Sequence, residues 1–287
     1  MSTRPDCTCG LHGRPLCLTR ETLKRLESCV ISHKPSLRQL PKWAVKPYIR
    51  PDLQENKAVT IAASFECKEG YVLCADRLMS HGKHTDFGAF AHYEKKVFVL
   101  DDVTFVTVIC GSGDTITMRA VADGVITKLI NSEDRPSVTS ALEESLNDVA
   151  TKLGVAPEVS LVLASVADGS DPECLRADGL IVQPARPVEI LGIGETSLIQ
   201  YLIDSVYTPD LSLKELSALA VFVVYAAKKY CPQYCGGQTD VCVLPRKLLW
   251  DPVPMTDDEI LVLEEQFAVK PPEQLKMLIH NAATFLQ

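Results

Sequence analysis

The chain has 287 residues, 46% of them hydrophobic and 23% charged, which is room and composition for one large globular core with a small appendage. Its longest apolar run, residues 218–227, is ten residues long, too short for a bilayer, and Met1–Asp6 lacks the apolar centre of a secretory signal, so a cytoplasmic address and no membrane partner are expected. The net charge of −8 is unevenly spread: residues 1–57 carry 11 Lys/Arg against 5 Asp/Glu, and the remainder 18 against 32. This basic arm lacks interleaved aromatics and repeated Arg/Lys clusters, which argues against nucleic acid as a partner and for an arm lying on its own body or a neighbouring subunit.

Residues 1–57 form an N-terminal extension. It opens with Cys7, Cys9, His12 and Cys17, a C-x-C-x2-H-x4-C set able to supply four tetrahedral ligands to a structural zinc; a tail merely bearing cysteines is the alternative. Thr19–Ile31 carries Leu23, Leu26 and Val30 on one helical face. Pro35, Pro41, Pro47 and Pro51 then punctuate a tether. The chain has 11 cysteines, and Cys67, Cys74, Cys110 and Cys242 fall inside apolar strand patterns, where a reduced thiol acts as a small hydrophobe.

From residue 58 to about 250 the pattern is that of one domain. Ile61, Ala63 and Phe65 alternate with Ala62, Ser64 and Glu66, the period of a strand. After the polar turn 66–70, Tyr71–Ala75 returns as a strand apolar on both faces, buried between layers. Thr60 heads the first strand and Asp76-Arg77 ends the second, so a hydroxyl meets a charged pair at one end of a hairpin. A polar loop with His81, Gly82, His84 and Gly88 follows. Strands are predicted at 96–100 and 104–110 around the turn Asp101-Asp102, then helices at about 113–131 and 137–153, the second capped near Ser137 and ended by Gly154. Further strands are predicted near 158–166, 174–182 and 187–192, helices at about 195–207 and 212–229, and a last core strand at 238–244. Residues 251–287 add a C-terminal extension of one or two helices. Strands joined by hairpin-length turns, alternating with helix pairs, exclude a βαβ parallel sheet and suit two stacked antiparallel sheets with helices outside, an α+β architecture.

The order T-I-A-A-S…G-Y-V-L-C-A-D-R, E-K-K-V (94–97), C-G-S-G-D (110–114), L-G-I-G-E-T (191–196) and C-G-G-Q-T-D-V-C-V (235–243) resembles proteasome β subunits and the related bacterial ATP-dependent threonine protease. The resemblance covers roughly residues 58–245. It implies the four-layer αββα sandwich of the Ntn hydrolases and ring-like homo- or hetero-oligomers, with the helices near 113–131 and 137–153 as contacts. It also implies a polypeptide substrate and no required cofactor. In that family a threonine freed at a new N-terminus is the nucleophile and its own α-amine the base. By position Thr60 matches the nucleophile, Asp76 the aspartate that orients a lysine, and Lys96 that lysine, with Lys95 as the neighbouring option. Gly111 matches the glycine whose backbone N–H stabilises the oxyanion. The ordinary alternatives are a strand hydroxyl for Thr60, an ion pair with Arg77 for Asp76 and a solvated strand end for Lys96.

The chain departs from the family pattern in three ways. Val59 precedes Thr60 where the family has glycine, whose permissive backbone eases self-cleavage. The register also allows Val59 or Ala58 at the nucleophile position. The family's serine in the G-S-G turn is Ile193 here, and the aspartate and serine before G-G are Pro232 and Cys235. Two functions follow: a threonine-type peptidase matured by loss of the extension, or a non-catalytic homologue that keeps the extension and serves as an assembly or binding subunit.

Overall fold

The computed structural model describes residues 60–79, 92–102, 104–131, 136–167, 171–192, 197–232, 234–247, 252–269 and 275–283. The extension with Cys7, Cys9, His12 and Cys17, the loop 80–91 and residues 193–196 lie outside them. The described residues all fall within one compact unit, Gln54–Gln287.

Two five-stranded sheets, antiparallel throughout, form the centre. The first has the order β10 (Val188–Gly192), β1 (Ile61–Cys67), β2 (Gly70–Asp76), β11 (Thr239–Pro245), β12 (Val253–Pro254). The second runs β5 (Val97–Asp102), β6 (Phe105–Gly113), β7 (Val159–Ala167), β8 (Glu173–Asp178), β9 (Ile181–Pro184). A short ribbon, β3 (Leu78–Met79) with β4 (His92–Tyr93), projects from the end of β2. The helices are α1 (Thr115–Asn131), α2 (Val138–Leu153), α3 (Ser197–Asp204), α4 (Leu213–Tyr230), α5 (Asp257–Val269) and α6 (Leu275–Ala283).

Three apolar layers hold these elements as a four-layer αββα sandwich. Ala62, Leu73 and Ala75 of the first sheet meet Val108, Val162 and Ala164 of the second. The other faces of β1 and β2, through Ile61, Ala63, Phe65, Val72 and Cys74, pack on α3 and α4 and on Ile260, Leu263, Phe267 and Ile279 from the C-terminal helices. The second sheet's outer face packs on α1 and α2. Both faces of β1 and β2 are thus out of water, the environment expected for Tyr71–Ala75 and shared by the alternating strand before it. The arrangement is the sandwich expected from the order of strands and helix pairs. Cys67, Cys74, Cys110 and Cys242 are buried free thiols.

Local chemistry sets the boundaries. Asp114 Oδ2 accepts from the Thr117 amide at 2.8 Å and starts α1 two residues after the predicted onset. Ser137 caps α2, and Gly154 closes it in a left-handed turn. Ser212 and Glu215 form a reciprocal capping box on α4. The predicted strand 174–182 is instead a hairpin, β8 and β9, because Gly179 takes a φ of +59° and turns the chain after Asp178. The helix predicted at 195–207 is shorter, at Ser197–Asp204. No helix among the described residues is long and apolar enough to cross a membrane.

Candidate active site

At the end of the β1–β2 hairpin the register pairs Ala62 with Ala75, which brings Thr60 beside Asp76. Thr60 Oγ1 donates to Asp76 Oδ1, and the Ile61 amide donates to the same oxygen at 3.1 Å. Lys96 sits one residue before β5 and reaches across to this point. Its Nζ donates to Thr60 Oγ1, to Asp76 Oδ1 at 3.1 Å and to the Leu78 carbonyl. Asp76 Oδ2 accepts the Gly236 amide at 2.9 Å. The three side chains are 3%, 0% and 1% exposed for Thr60, Asp76 and Lys96.

Burial pushes the Lys96 ammonium below the ordinary lysine range, against the carboxylate of Asp76, which works to raise it. A lysine less basic than usual, touching a hydroxyl, can hold a hydroxyl oxygen in place and share its proton. The ordinary alternatives for two residues give way to this geometry. Lys96 is buried and paired, not a solvated strand end. Arg77 does not pair with Asp76: its Nε and NH2 both bond Asp240 Oδ1, at 2.9 and 2.6 Å. Lys95 is exposed and lines a groove of about 520 Å³ with Arg77, Val97 and Met255. Val59 and Ala58, the other register options, lie outside the described residues, and the hydroxyl of Thr60 is the one in the cluster.

Gly111 makes no side-chain contribution, and its place is decided by crowding. A Cβ there would come within 2.5 Å of Leu161 and 2.8 Å of the Met118 sulfur. It lies one step past the last β5–β6 pair, Val97 with Cys110, and so runs alongside Lys96. Gly192 is more closely tied to the threonine. It has a φ of +73°, and a Cβ would fall 1.9 Å from the Thr60 carbonyl oxygen and 2.8 Å from Ser112 Oγ. Ser112 is therefore a neighbour of the Thr60 backbone that sequence reasoning overlooked, although the G-S-G-D turn carried it.

Two backbone groups, the Leu78 carbonyl and the Gly236 N–H, complete the cluster. Neither has a side-chain signature, so neither could be found in the sequence. Cys235, in the place of the family's serine, is 1% exposed. Burial first, and then the negative charge of Asp76, push its thiol well above the usual range, so it is a neutral thiol beside the cluster rather than a reactive one. Pro232 is exposed and Ile193 lies outside the described residues. No group of three or more His, Cys, Asp or Glu residues able to hold a metal occurs among the described residues.

No protein-family model matches the sequence. The chain is 29% identical over 191 residues to proteasome subunit beta 2 of Pyrobaculum calidifontis, covering 64% of this chain and 88% of that one. It is 28% identical over 197 residues to the Pyrobaculum neutrophilum protein of the same name, covering 67% and 91%. Among solved structures, the helical assembly of the Anbu complex from Pseudomonas aeruginosa superposes with a TM-score of 0.61 at 16% identity, covering 73% of this chain and 92% of that one. Anbu (ancestral beta-subunit) from Yersinia bercovieri gives a TM-score of 0.60 at 14% identity, covering 74% and 98%. Those structural likenesses carry the fold, a sandwich of the kind seen in Anbu, and the sequence matches are a likeness to proteasome β subunits.

Proposed function

We propose that the chain, with residues 1–59 attached, is a non-catalytic proteasome-like subunit that self-associates. The observation that carries this reading is the closed hydrogen-bond set at Thr60. The hydroxyl proton is given to Asp76, the oxygen accepts from Lys96, and the residue is 3% exposed. With its proton engaged and the residue buried, the oxygen offers no open approach to a substrate carbonyl in the intact chain. In the intact sequence the Thr60 nitrogen is also an amide, bonded to Val59, and cannot act as a base. The replacements Ile193, Pro232 and Cys235 remove polar groups that would position a free amine.

Self-association is supported by the apolar surface of the outer helices. Ile116 on α1 is 76% exposed, Ile130 at its far end 49%, and Leu153 at the end of α2 52%, side chains that a partner subunit would shield from water. The related Anbu structure from Pseudomonas aeruginosa is a helical assembly. Light scattering at several concentrations should give a species larger than the 31.5 kDa chain. A monomer at every concentration would end this part of the reading.

A second reading is favoured by one specific observation, the retention of Thr60, Lys96 and Asp76 in mutual hydrogen-bond contact. If water cleaves the Val59–Thr60 bond, leaving a carboxylate on Val59 and an amine on Thr60, the cluster becomes that of a threonine-type amide hydrolase. Thr60 Oγ1 would attack a peptide carbonyl and pass its proton to the new Thr60 amine, which hands it to the peptide nitrogen as the C–N bond breaks and that amine leaves. A second water then hydrolyses the ester, releasing the carboxylic acid and restoring the hydroxyl. Lys96 would favour the alkoxide by charge, and the backbone near Gly111 would face the oxyanion. The intact mass of purified protein separates the two readings. A chain beginning at Met1, inert to threonine-directed covalent inhibitors and unchanged in assembly on Thr60→Ala, supports the subunit. A chain beginning at Thr60 that hydrolyses peptides, with Thr60→Ala both inactive and unprocessed, overturns it.

A further inference from the structure

The turn that carries the Gly236 N–H to Asp76 is held from behind by α5, a helix that comes after the last core strand. Glu264, at the middle of α5, accepts from Thr239 Oγ1 at 2.7 Å and from Lys228 Nζ at 2.6 Å through one oxygen. The same Lys228 Nζ donates to the Gly237 carbonyl at 3.0 Å. At the start of the helix Asp257 accepts from Gln238 Nε2 and from Arg77 NH2, both at 3.3 Å. Arg77 in turn bonds Gln238 Oε1 and, through its own amide, the Gln238 carbonyl. Residues 236–239 are therefore tied to one helix at two points nearly two turns apart.

What this turn does for the cluster is specific. Its Gly236 amide bonds Asp76 Oδ2, its Gly236 carbonyl accepts from the Leu78 amide, and Thr239 stands opposite Asp76 in the β2–β11 register. Leu78 is also the residue whose carbonyl receives Lys96. A shift of the turn would leave a fully buried carboxylate oxygen without its donor and would move the carbonyl that orients the lysine. The helix itself is anchored independently. Ile260, Leu263 and Phe267 are buried against α4, and the Phe267 ring meets Phe222 edge-on at 5.3 Å.

We infer that α5 is a clamp on the Thr60–Asp76–Lys96 cluster, with Glu264 as a positioning residue acting through Thr239, Lys228 and the Gly236–Gln238 turn. The clamp belongs to the cluster whether or not the chain hydrolyses anything, so it is tested without an activity assay. Failure of the clamp and absence of peptidase activity are then separate results.

Cys235, buried in the same turn, is the reporter. Full-length protein is treated with iodoacetamide under native conditions, and alkylation is followed site by site by peptide mass spectrometry. Cys74 and Cys110, buried between the layers, report on opening of the whole fold. Glu264→Ala should raise the Cys235 labelling rate by about tenfold or more, since a charge-assisted contact shared by two donors is lost, with Cys74 and Cys110 unchanged. Glu264→Gln, which keeps an acceptor oxygen for Thr239 and Lys228, should return the rate to within about threefold of wild type. Glu265→Ala, on the exposed side of α5, should label as wild type. An unchanged Cys235 in Glu264→Ala would overturn the clamp, as would a rise shared with Cys74 and Cys110 or a Glu264→Gln protein that labels as fast as the alanine variant. If Glu264→Ala yields no folded protein, Thr239→Val removes a single hydroxyl donor to Glu264 and is read in the same way.

Discussion

Replacing Lys96 by methionine keeps most of the side-chain volume and removes only the charge and the three donors. The structure sets what is then left behind. Asp76 retains the Thr60 hydroxyl, the Ile61 amide and the Gly236 amide, but its carboxylate is fully buried with no cation in contact. The Leu78 carbonyl loses its lysine donor as well. Removing one partner of a buried ion pair costs about 3–5 kcal/mol. With a urea dependence of about 2–3 kcal/mol per molar for a chain of this size, the unfolding midpoint should fall by about 1–2.5 M. Asp76→Asn alone should also destabilise, because the new amide group faces the Gly236 N–H, donor against donor. The double variant carries neither charge, so its loss should fall short of the sum of the two single losses by about 2 kcal/mol or more. Equilibrium urea unfolding followed by circular dichroism measures all four proteins. A Lys96→Met midpoint within about 0.2 M of wild type, or strictly additive losses, would show that the pair is not the buried, coupled unit described here.

Burial holds the Lys96 pKa below its unfolded value of 10.5, so between the two values the unfolded chain binds more protons and wild-type stability should rise with pH relative to Lys96→Met; midpoints at pH 7.5 and 10 that keep a constant difference would refute this. Gly192→Ala places a methyl group against the Thr60 carbonyl at a left-handed φ, and should cost about 2 kcal/mol or more and lower Tm by about 4–8 °C; an unchanged melting curve would refute the close approach. Arg176 links the sheets by bonding the buried Glu189 at 2.7 Å. Arg176→Met should therefore lose about 2 kcal/mol, checked by the same urea titration, and a loss below about 0.5 kcal/mol would mark the pair as dispensable. For the proposed zinc on Cys7, Cys9, His12 and Cys17, metal analysis of protein purified with reductant and without chelator should give stoichiometric zinc, and none above background would remove the site.

Much of the architecture was determined locally. Alternation in Ile61–Phe65, the doubly apolar Tyr71–Ala75, and Ser137, Gly154 and Ser212 at helix ends act within a few residues of themselves, so strands, helices and their order were legible. Where a local signal was overlooked, as with Asp178-Gly179, the predicted strand proved to be a hairpin. The first hairpin also placed Thr60 and Asp76 at the same end of the strand pair. The register allowed by the sequence left Val59 and Ala58 as options, and it is the side-chain contact in the folded chain that joins Thr60 to Asp76. Tertiary structure decided the rest. Lys96 and Lys95 are indistinguishable as sequence, and packing of the second sheet on the first buried one against Asp76 and left the other in water. Arg77 stands next to Asp76 in the chain yet bonds Asp240, because the β2–β11 pairing brings that carboxylate closer to its guanidinium. The Leu78 carbonyl, the Gly236 amide and the grip of Glu264 on the turn join parts of the chain up to 160 residues apart. Backbone groups carry no residue-type signal, and only the folded chain brings them to one point.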